Sequence, residues 1–194
     1  MGKEMGKEKN IGVPKFNGEY LNGKRWNGMG FNENYILVYK LNKGKGIIKE
    51  YYSNGQLELE IEYSNGERNG KGKEYYDNGQ IKFEGEYLNG KRNGKGKEYD
   101  DNGNLKFEGE YLNFDKIKGK SYYYNGKLFF EGDYLFDFFY NGKIYNPKGE
   151  LICGFNNGNG KTKIYCYDGQ LGFEGEYLNQ EKNGKGKEYD DKGN

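Results

Sequence analysis

Closely spaced acidic residues are the first candidates for chemistry in this chain of 194 residues. Glu84 and Glu86 have the separation of a general acid and a general base. The same spacing recurs at Glu108/Glu110 and at Glu174/Glu176. A repeated pair is better interpreted as solvated surface charge than as a catalytic dyad. The chain contains no histidine, which excludes histidine-based proton relays and metal ligation.

Two further segments resemble binding loops by composition alone. Residues 85–92 read GEYLNGKR and match the GxxxxGK part of a phosphate-binding loop. Arg92 stands where that loop requires Ser or Thr, and no helix is predicted to follow and bind phosphate at its N-terminus. Residues 100–103 contain calcium-type ligands, but the glycine is misplaced and no distal glutamate completes the set. We therefore predict no catalytic, cofactor-binding or metal site.

All of these segments belong to a repeated unit. The stretch FEGEYLNGKRNGKGKEYDDNGN begins at Phe83 and returns from Phe173 with few changes, and shorter copies begin at Phe16 and Phe107. A period of about 24 residues indicates an array in which each repeat contacts only its neighbours. We count eight repeats over residues 16–194, with 57–111 the most regular and 173–194 the last.

Each repeat is predicted to form a β-hairpin. Residues 83–87 alternate between acidic residues and aromatic or glycine residues, which is the period of a strand with two different faces. Asn-Gly pairs supply the positive φ angles of tight turns. The sequence therefore predicts an all-β fold, an elongated, single-layer, twisted antiparallel sheet of stacked β-hairpins.

The register of these hairpins can be predicted from their turns. A four-residue loop at 90–93 places Tyr87 opposite Gly96 and Glu86 opposite Lys97. A two-residue loop at 102–103 places Lys97 opposite Glu108 as well. Both turns keep aromatic residues and glycines on one face and charged residues on the other, as a one-residue slip would not.

The two predicted faces have different roles. Aromatic rings on one face cover the bare backbone of glycines on neighbouring strands. Lysines and glutamates on the other face alternate between strands, which explains why 31 basic and 30 acidic residues nearly cancel. Exposed ion pairs contribute little stability individually, so their predicted role is to set the register and keep this face hydrated.

Several segments depart from the regular unit. Residues 1–15 are predicted to be a disordered charged leader, and the irregular residues 32–41 an N-terminal cap. Ile47 and Ile48 are interpreted as extra residues in a bulge. The aromatic residues of 129–139 indicate either a docking surface or internal packing, and the sequence leaves both open.

Composition also predicts the location of the protein. The first ten residues are charged, and no stretch has the roughly 18 apolar residues of a membrane span. We expect a cytoplasmic protein, with membrane or cytoskeletal association as an alternative. Cys153 and Cys166 are expected to be reduced, because two cysteines do not make a disulfide framework. The chain stops within a predicted turn, which favours either a partner on its last strand or a longer parent protein.

The run FEGEYLNGKRNGKG from Phe83 resembles the MORN (membrane occupation and recognition nexus) repeat, whose members read roughly YxGxxxxGxxxGxG. The run GKEYYDNGQIKFEGEY from Gly72 is similar to the variant of this repeat found in bacterial and protist proteins. The resemblance covers about residues 16–194. It implies a sheet of stacked hairpins with an aromatic-lined groove, used as a scaffold, a partner-binding module or a lipid-binding module.

We therefore expect a non-catalytic scaffold that binds a partner peptide or helix, and no nucleic acid. The alternatives are a peripheral phospholipid-binding module and the MORN segment of a larger lipid kinase or methyltransferase. The predicted groove comprises Tyr63, Tyr76, Phe83, Tyr87, Phe107, Tyr111, Phe130, Tyr134, Phe173, Tyr177, Glu74 and Glu98.

The acidic members of this groove guide the choice of partner. Glu74 and Glu98 are predicted to lie in a row of carboxylates beside the rings, which favours a basic amphipathic helix over anionic lipid. A homodimer formed by pairing of the edge strand near residues 185–189 is a second expectation.

Overall fold

The computed structural model describes residues 15–166 and 169–190, which form sixteen strands and contain no helix. The strands are β1 (Phe16–Leu21), β2 (Lys24–Phe31), β3 (Leu37–Leu41), β4 (Gly46–Tyr51), β5 (Leu57–Ser64), β6 (Glu67–Tyr75), β7 (Ile81–Leu88), β8 (Lys91–Tyr99), β9 (Leu105–Leu112), β10 (Asp115–Tyr122), β11 (Leu128–Leu135), β12 (Phe138–Tyr145), β13 (Leu151–Phe155), β14 (Gly160–Tyr165), β15 (Leu171–Leu178) and β16 (Glu181–Glu188). The predicted leader, up to residue 14, and the turn at 191–194 lie outside the described residues.

Nearly every strand pairs antiparallel with its neighbours in sequence. Strands β4 to β13 form a ten-stranded sheet, flanked by the three-stranded sheets β1 to β3 and β14 to β16. The junctions between these sheets are single bridges, Asn42 with Lys45 and Asn156 with Asn159. The prediction of an all-β array of consecutive antiparallel hairpins is confirmed.

The turn between β7 and β8 is shorter than predicted. Leu88 pairs with Lys91, so the loop contains only Asn89 and Gly90, with φ angles of 50° and 85°. An Asn-Gly pair favours this two-residue turn because both positions take positive φ. The predicted four-residue loop was wrong, and Gly96 faces Gly85 instead of Tyr87.

A bulge in β8 compensates for the shorter turn. The pairing shifts between Gly85 and Tyr87, and Gly94 has a φ of 99°. The Glu86 carboxylate accepts a hydrogen bond of 3.1 Å from the backbone N–H of Lys95. A side chain on Gly94 would collide with Glu86, so glycine is required at this bulge.

The turn between β8 and β9 contains three residues instead of the two predicted. The Asp100 N–H donates to the Asn104 carbonyl at 2.9 Å, and the Gly103 N–H donates to the Asp100 carbonyl at 3.1 Å. The pairing shifts after Glu98, which restores the predicted register along the strands. Lys97 therefore faces Glu108, as predicted, but its partner on β7 is Glu84 and not Glu86.

Successive hairpins are also joined through their turns. The Gly90 N–H donates to the Arg68 carbonyl at 2.9 Å, one repeat earlier. At the other end of the hairpins, the Tyr76 hydroxyl donates to the Tyr99 carbonyl at 2.9 Å, and Asn78 Nδ2 donates to the Asp101 carbonyl at 2.7 Å. These bonds fix the stacking of repeats independently of the strand ladder.

Two predictions for the N-terminal repeats were wrong. Residues 37–41 form β3, which pairs with β2 as an ordinary member of the sheet instead of capping it. Ile48 pairs with Ile61 without a bulge at either isoleucine, and both side chains are fully buried. These isoleucines occupy the positions of facing glycines in later repeats, and their side chains fill the space that aromatic rings cover there.

Candidate functional site

The aromatic face of the array is packed as a core. The relative exposure of Phe83 is 0% and that of Tyr111 is 3%. Phe83 makes edge-to-face contacts with Tyr87 and Tyr111, with ring centroids 5.7 and 5.4 Å apart. The Phe83 ring also lies so close to Gly96 that an added Cβ would approach it to 2.7 Å. Rings over glycines, as the sequence predicts, therefore exclude water from the sheet.

The predicted groove residues lie in this core or around it. Seven of the rings are buried, namely Phe83, Tyr87, Phe107, Tyr111, Phe130, Tyr134 and Phe173. Tyr63, Tyr177, Glu74 and Glu98 are half-buried beside them. Tyr76 lies apart from the row, at the three-residue turns. The structure brings most of the predicted residues together, but as the interior of the array and not as the lining of an open groove.

A charged lid covers the rings of the regular repeats. The Arg92 guanidinium lies 4.0 Å from the centroid of Phe83, and its side chain is only 17% exposed. It donates to Glu74 at 2.6 Å and to Glu98 at 3.0 Å. Lys116 pairs with Glu98 at 2.8 Å and lies over the Phe107 ring. Arg92 was expected within the loop at 90–93, but it belongs to β8. Its position over Phe83 is favourable because a cation over an aromatic face gains more when it is desolvated.

The lid neutralises the acidic residues that the sequence places beside the rings. Burial disfavours the charged form of Glu74, but hydrogen bonds from Arg92 and Tyr87 outweigh it and lower the pKa of this carboxyl. The Tyr87 hydroxyl donates to Glu74 at 2.6 Å, and burial together with this bond raises its own pKa. The carboxylates are on the predicted face, but they are already engaged within the chain.

Other repeats build the same lid with different residues. Arg25 covers Phe16 and pairs with Glu50 at 3.2 Å. Lys182 covers Phe173 and pairs with Glu188. These repeated contacts show that the lid is a structural element of the array.

The open groove lies on the opposite, charged face. It has a volume of about 750 Å³ and crosses strands β4 to β10. Its floor is a row of glycines, namely Gly72, Gly85, Gly96, Gly109 and Gly119. We call it the ladder groove. The sequence predicted the charged ladder but missed the groove, because an alternating pattern does not distinguish a recessed face from a flat one.

Two walls of charged residues flank this floor. The near wall, closer to the two-residue turns, comprises Glu62, Lys71, Glu86, Lys95, Glu110 and Lys118. The far wall comprises Glu60, Lys73, Glu84, Lys97, Glu108 and Lys120. Each strand carries one sign of charge on both walls, and the sign alternates from strand to strand. Six lysines and six glutamates give the lining no net charge.

Hydrogen bonds and ion pairs hold the far wall in place. Lys73 pairs with Glu84 at 3.2 Å, and Lys97 pairs with Glu108 at 3.3 Å. The Tyr99 hydroxyl donates to Glu84 at 2.8 Å, and burial together with this carboxylate raises the pKa of Tyr99 to about 12. The far wall is therefore a rigid, internally neutralised surface.

Residues 15–166 and 169–190 contain no group of three or more His, Cys, Asp or Glu placed to hold a metal ion. Cys153 and Cys166 are free thiols, and Cys153 Sγ contacts Thr162 Oγ1 at 3.0 Å. No helix capable of spanning a membrane occurs in the described part of the chain.

Comparison with known families identifies the repeat. The MORN repeat model matches residues 83–105 and 173–194, and the MORN repeat variant model matches residues 45–65, 68–89 and 117–135. No curated protein matches the chain. The matched segments together span about half of the sequence, and each contains the glycines and aromatic residues of the hairpins described above. The chain belongs to the MORN repeat family.

Proposed function

We propose that this chain is a non-catalytic scaffold that binds an extended segment of a partner protein in the ladder groove. The presence of MORN repeats is consistent with a repeat scaffold or binding module, and the family is typically non-catalytic. The observation that carries the proposal is the continuous groove of about 750 Å³, with a glycine floor between two charged walls.

The dimensions of the groove favour an extended polypeptide. Strands β5 to β10 at a spacing of about 4.8 Å give a length of roughly 24 Å, which about eight extended residues span. The floor is bare backbone on this side, because a side chain at the glycine positions would point toward the aromatic rings, so another chain can approach it closely. Lysine donors and glutamate acceptors on the walls supply partners for the backbone groups of a segment that makes no hydrogen bonds of its own.

A lipid ligand has less support in this groove. Anionic headgroups are attracted by an excess of basic charge, and each lysine strand here is flanked by glutamates. The membrane alternative draws support from a different place, the residues Phe114, Phe136 and Phe138 in or beside two-residue turns, which are 50%, 73% and 59% exposed.

The proposal is tested by selecting ligands from a displayed library of random dodecamers and mapping a selected peptide by NMR. We expect shift changes at the charged faces of β5 to β10 and loss of binding in Lys97→Trp, which fills the groove. Lys127→Trp, at an exposed turn outside it, is the matched control. A basic amphipathic helix, the ligand favoured by the sequence, is tested in parallel.

Two results would contradict this function. One is a set of selected peptides that perturb only the turns around Phe136. The other is strong flotation with phosphatidylserine vesicles that Phe136→Asn abolishes and Lys97→Trp leaves intact, which would favour the membrane alternative. The alternative of a larger kinase or methyltransferase is tested by reading the coding sequence on both sides of this chain.

Self-association through β16 remains a prediction. All residues of β16 are exposed, and in the described residues it pairs only with β15. Sedimentation velocity across a hundredfold range of concentration tests this prediction, since a pairing edge gives a dimer whose population rises with concentration. A constant monomer would exclude it.

A further inference from the structure

The two walls of the ladder groove differ in how their charges are used. Ion pairs occur on the far wall, where Lys73 and Lys97 bind neighbouring glutamates. On the near wall, within the described residues, Lys71, Lys95 and Lys118 have no carboxylate oxygen within 4.0 Å, and all three are exposed. The near wall therefore presents three ammonium groups available to a ligand.

The near-wall glutamates beside these lysines form no ion pairs with them, and two of these glutamates, Glu86 and Glu110, lie on the strands between the lysines. Glu62 accepts a hydrogen bond of 3.0 Å from the backbone N–H of Lys71, and Glu86 accepts one of 3.1 Å from the backbone N–H of Lys95. Their carboxylates are thereby held at the bulges of β6 and β8. Negative charge remains between the lysines, so an acidic ligand group at those intermediate positions is repelled.

The spacing of the lysines follows from the fold. Lys71, Lys95 and Lys118 lie on β6, β8 and β10, which alternate with the glutamate strands. Neighbouring strands are about 4.8 Å apart, so equivalent lysines recur at about 9.6 Å along the groove. A matching ligand must present like groups at that interval on one side.

Polyproline II is the regular conformation that fits this interval. It has three residues per turn and rises about 3.1 Å per residue, so every third side chain returns to one side after about 9.3 Å. A β-strand returns to one side after about 6.8 Å. In an α-helix, side chains seven residues apart lie on one side at an interval of about 10.5 Å. This interval differs from the lysine spacing of about 9.6 Å by more than the polyproline II interval does.

We propose that the ladder groove binds a polyproline II segment with an acidic residue at every third position. This inference rests on the proposed function, since it specifies the extended partner of the same groove. The carboxylates pair with Lys71, Lys95 and Lys118, and proline rings contact the glycine floor. The free backbone carbonyls of the segment accept hydrogen bonds from lysines of the walls.

The test uses synthetic dodecamers with blocked ends, measured by fluorescence anisotropy. The probe is (Glu-Pro-Pro)₄. Its matched control has the same composition, with glutamates at positions 1, 5, 6 and 10, so that no two of them are three or six residues apart. We expect the probe to bind about tenfold more tightly than the control, because two of the three ion pairs are out of register in the control. A (Lys-Pro-Pro)₄ peptide is expected not to bind.

Variants of the chain locate the interaction. The triple variant Lys71→Gln/Lys95→Gln/Lys118→Gln is expected to lose binding of the probe, and Lys127→Gln is expected to retain it. Thermal unfolding of each variant verifies that the array is intact. Equal binding of the probe and the permuted control, or binding that survives the triple substitution, would overturn the inference.

The outcomes separate this inference from the function on which it rests. If library peptides without a three-residue acidic period bind the groove and the probe does not, partner binding stands and the polyproline II assignment fails. If no peptide perturbs β5 to β10, both fail.

Discussion

The repeats around Phe83 and Phe130 cover equivalent rings with different side chains, a charged one over Phe83 and an aromatic one over Phe130. Both phenylalanine side chains are fully buried. Arg92 lies over Phe83 and binds the carboxylate of Glu98. At the equivalent position over Phe130 lies Phe139, and the centroids of these two rings are 4.4 Å apart. Ile144 faces Phe130 where Glu98 faces Phe83.

This difference shows what the lid position requires. A side chain must cover the ring, and its polar atoms must be satisfied if it has any. Arg92 meets the second requirement with two carboxylates, whereas Phe139 has no polar side-chain atoms to satisfy. A partly buried ion pair gives little net stability over a hydrocarbon contact, but loss of one partner is costly. The two regions should therefore respond differently to substitution and pH.

The largest expected effect comes from removing the covered rings. Phe83→Ala and Phe130→Ala are each expected to lower the free energy of unfolding by about 3–5 kcal/mol, because both leave cavities in the core. Phe136→Ala, at a ring that is 73% exposed, serves as the control and should change it by less than about 0.5 kcal/mol. Urea unfolding at pH 7 measures all three. A loss below about 1 kcal/mol for Phe83→Ala would show that its ring is not core.

Removal of the charged lid should have the next largest effect. Arg92→Ala is expected to cost about 2–4 kcal/mol, since Glu74 and Glu98 lose a buried partner and Phe83 loses its cover. Arg92→Met keeps a hydrocarbon contact with Phe83, so its loss of stability measures the electrostatic contribution of Arg92. Equal stability of Arg92→Met and the wild type in urea unfolding would mean that the lid acts through packing alone.

The charged lid also predicts a dependence on pH. The lowered pKa of Glu74 means that its contribution to stability is present above the unfolded pKa of about 4.3 and is lost as the pH falls through the folded pKa. Glu74→Gln is expected to cost about 1–2 kcal/mol at pH 7, where it removes a charge-assisted hydrogen bond. At pH 3 the difference from wild type should shrink.

A control variant sharpens this pH prediction. Glu110→Gln changes an exposed carboxylate of the ladder groove and should have little effect at either pH. Denaturant melts of both variants and the wild type at pH 7 and pH 3 provide the comparison. A constant deficit for Glu74→Gln at both pH values would contradict the assigned role of its charge.

The smallest expected effect concerns the two-residue turns of successive repeats. Gly90 has a φ of 85° in the regular turn, and Phe114 has the same φ one repeat later. A non-glycine residue pays roughly 1–2 kcal/mol for this conformation. Phe114→Gly should therefore raise the free energy of unfolding by about 1 kcal/mol, and Gly90→Ala should lower it by a similar amount. Destabilisation by Phe114→Gly, measured by thermal melting, would indicate that the ring makes a stabilising contact.

Much of the fold could be predicted because alternation and turn residues repeat along the chain. The pairing of Lys97 with Glu108 could be predicted from the position of one turn and from the requirement that charged residues of neighbouring strands share one face of the sheet. Loop lengths could not be predicted, because a glycine such as Gly94 serves equally in a turn or in a bulge. The bulge then shifted the pairing of β7 with β8.

The candidate site was harder to predict than the fold. A pattern of two faces does not say which face is recessed, since curvature arises from twist and bulges. It also does not give side-chain direction, and Arg92 reads as a turn residue although it lies over Phe83. The aromatic residues were thus assigned to the correct face, but the open groove is on the other.

In this array the aromatic face is the interior and the charged face is open. Hydroxyl-radical footprinting with mass spectrometry measures the burial of the aromatic face directly in the intact chain. We predict that Phe83, Tyr87 and Phe107, which are at most 3% exposed, are protected, whereas Tyr35 and Phe136, at 62% and 73%, are oxidised rapidly. Oxidation of Phe83 and Phe107 at the rate of Phe136 in the folded protein would contradict the account.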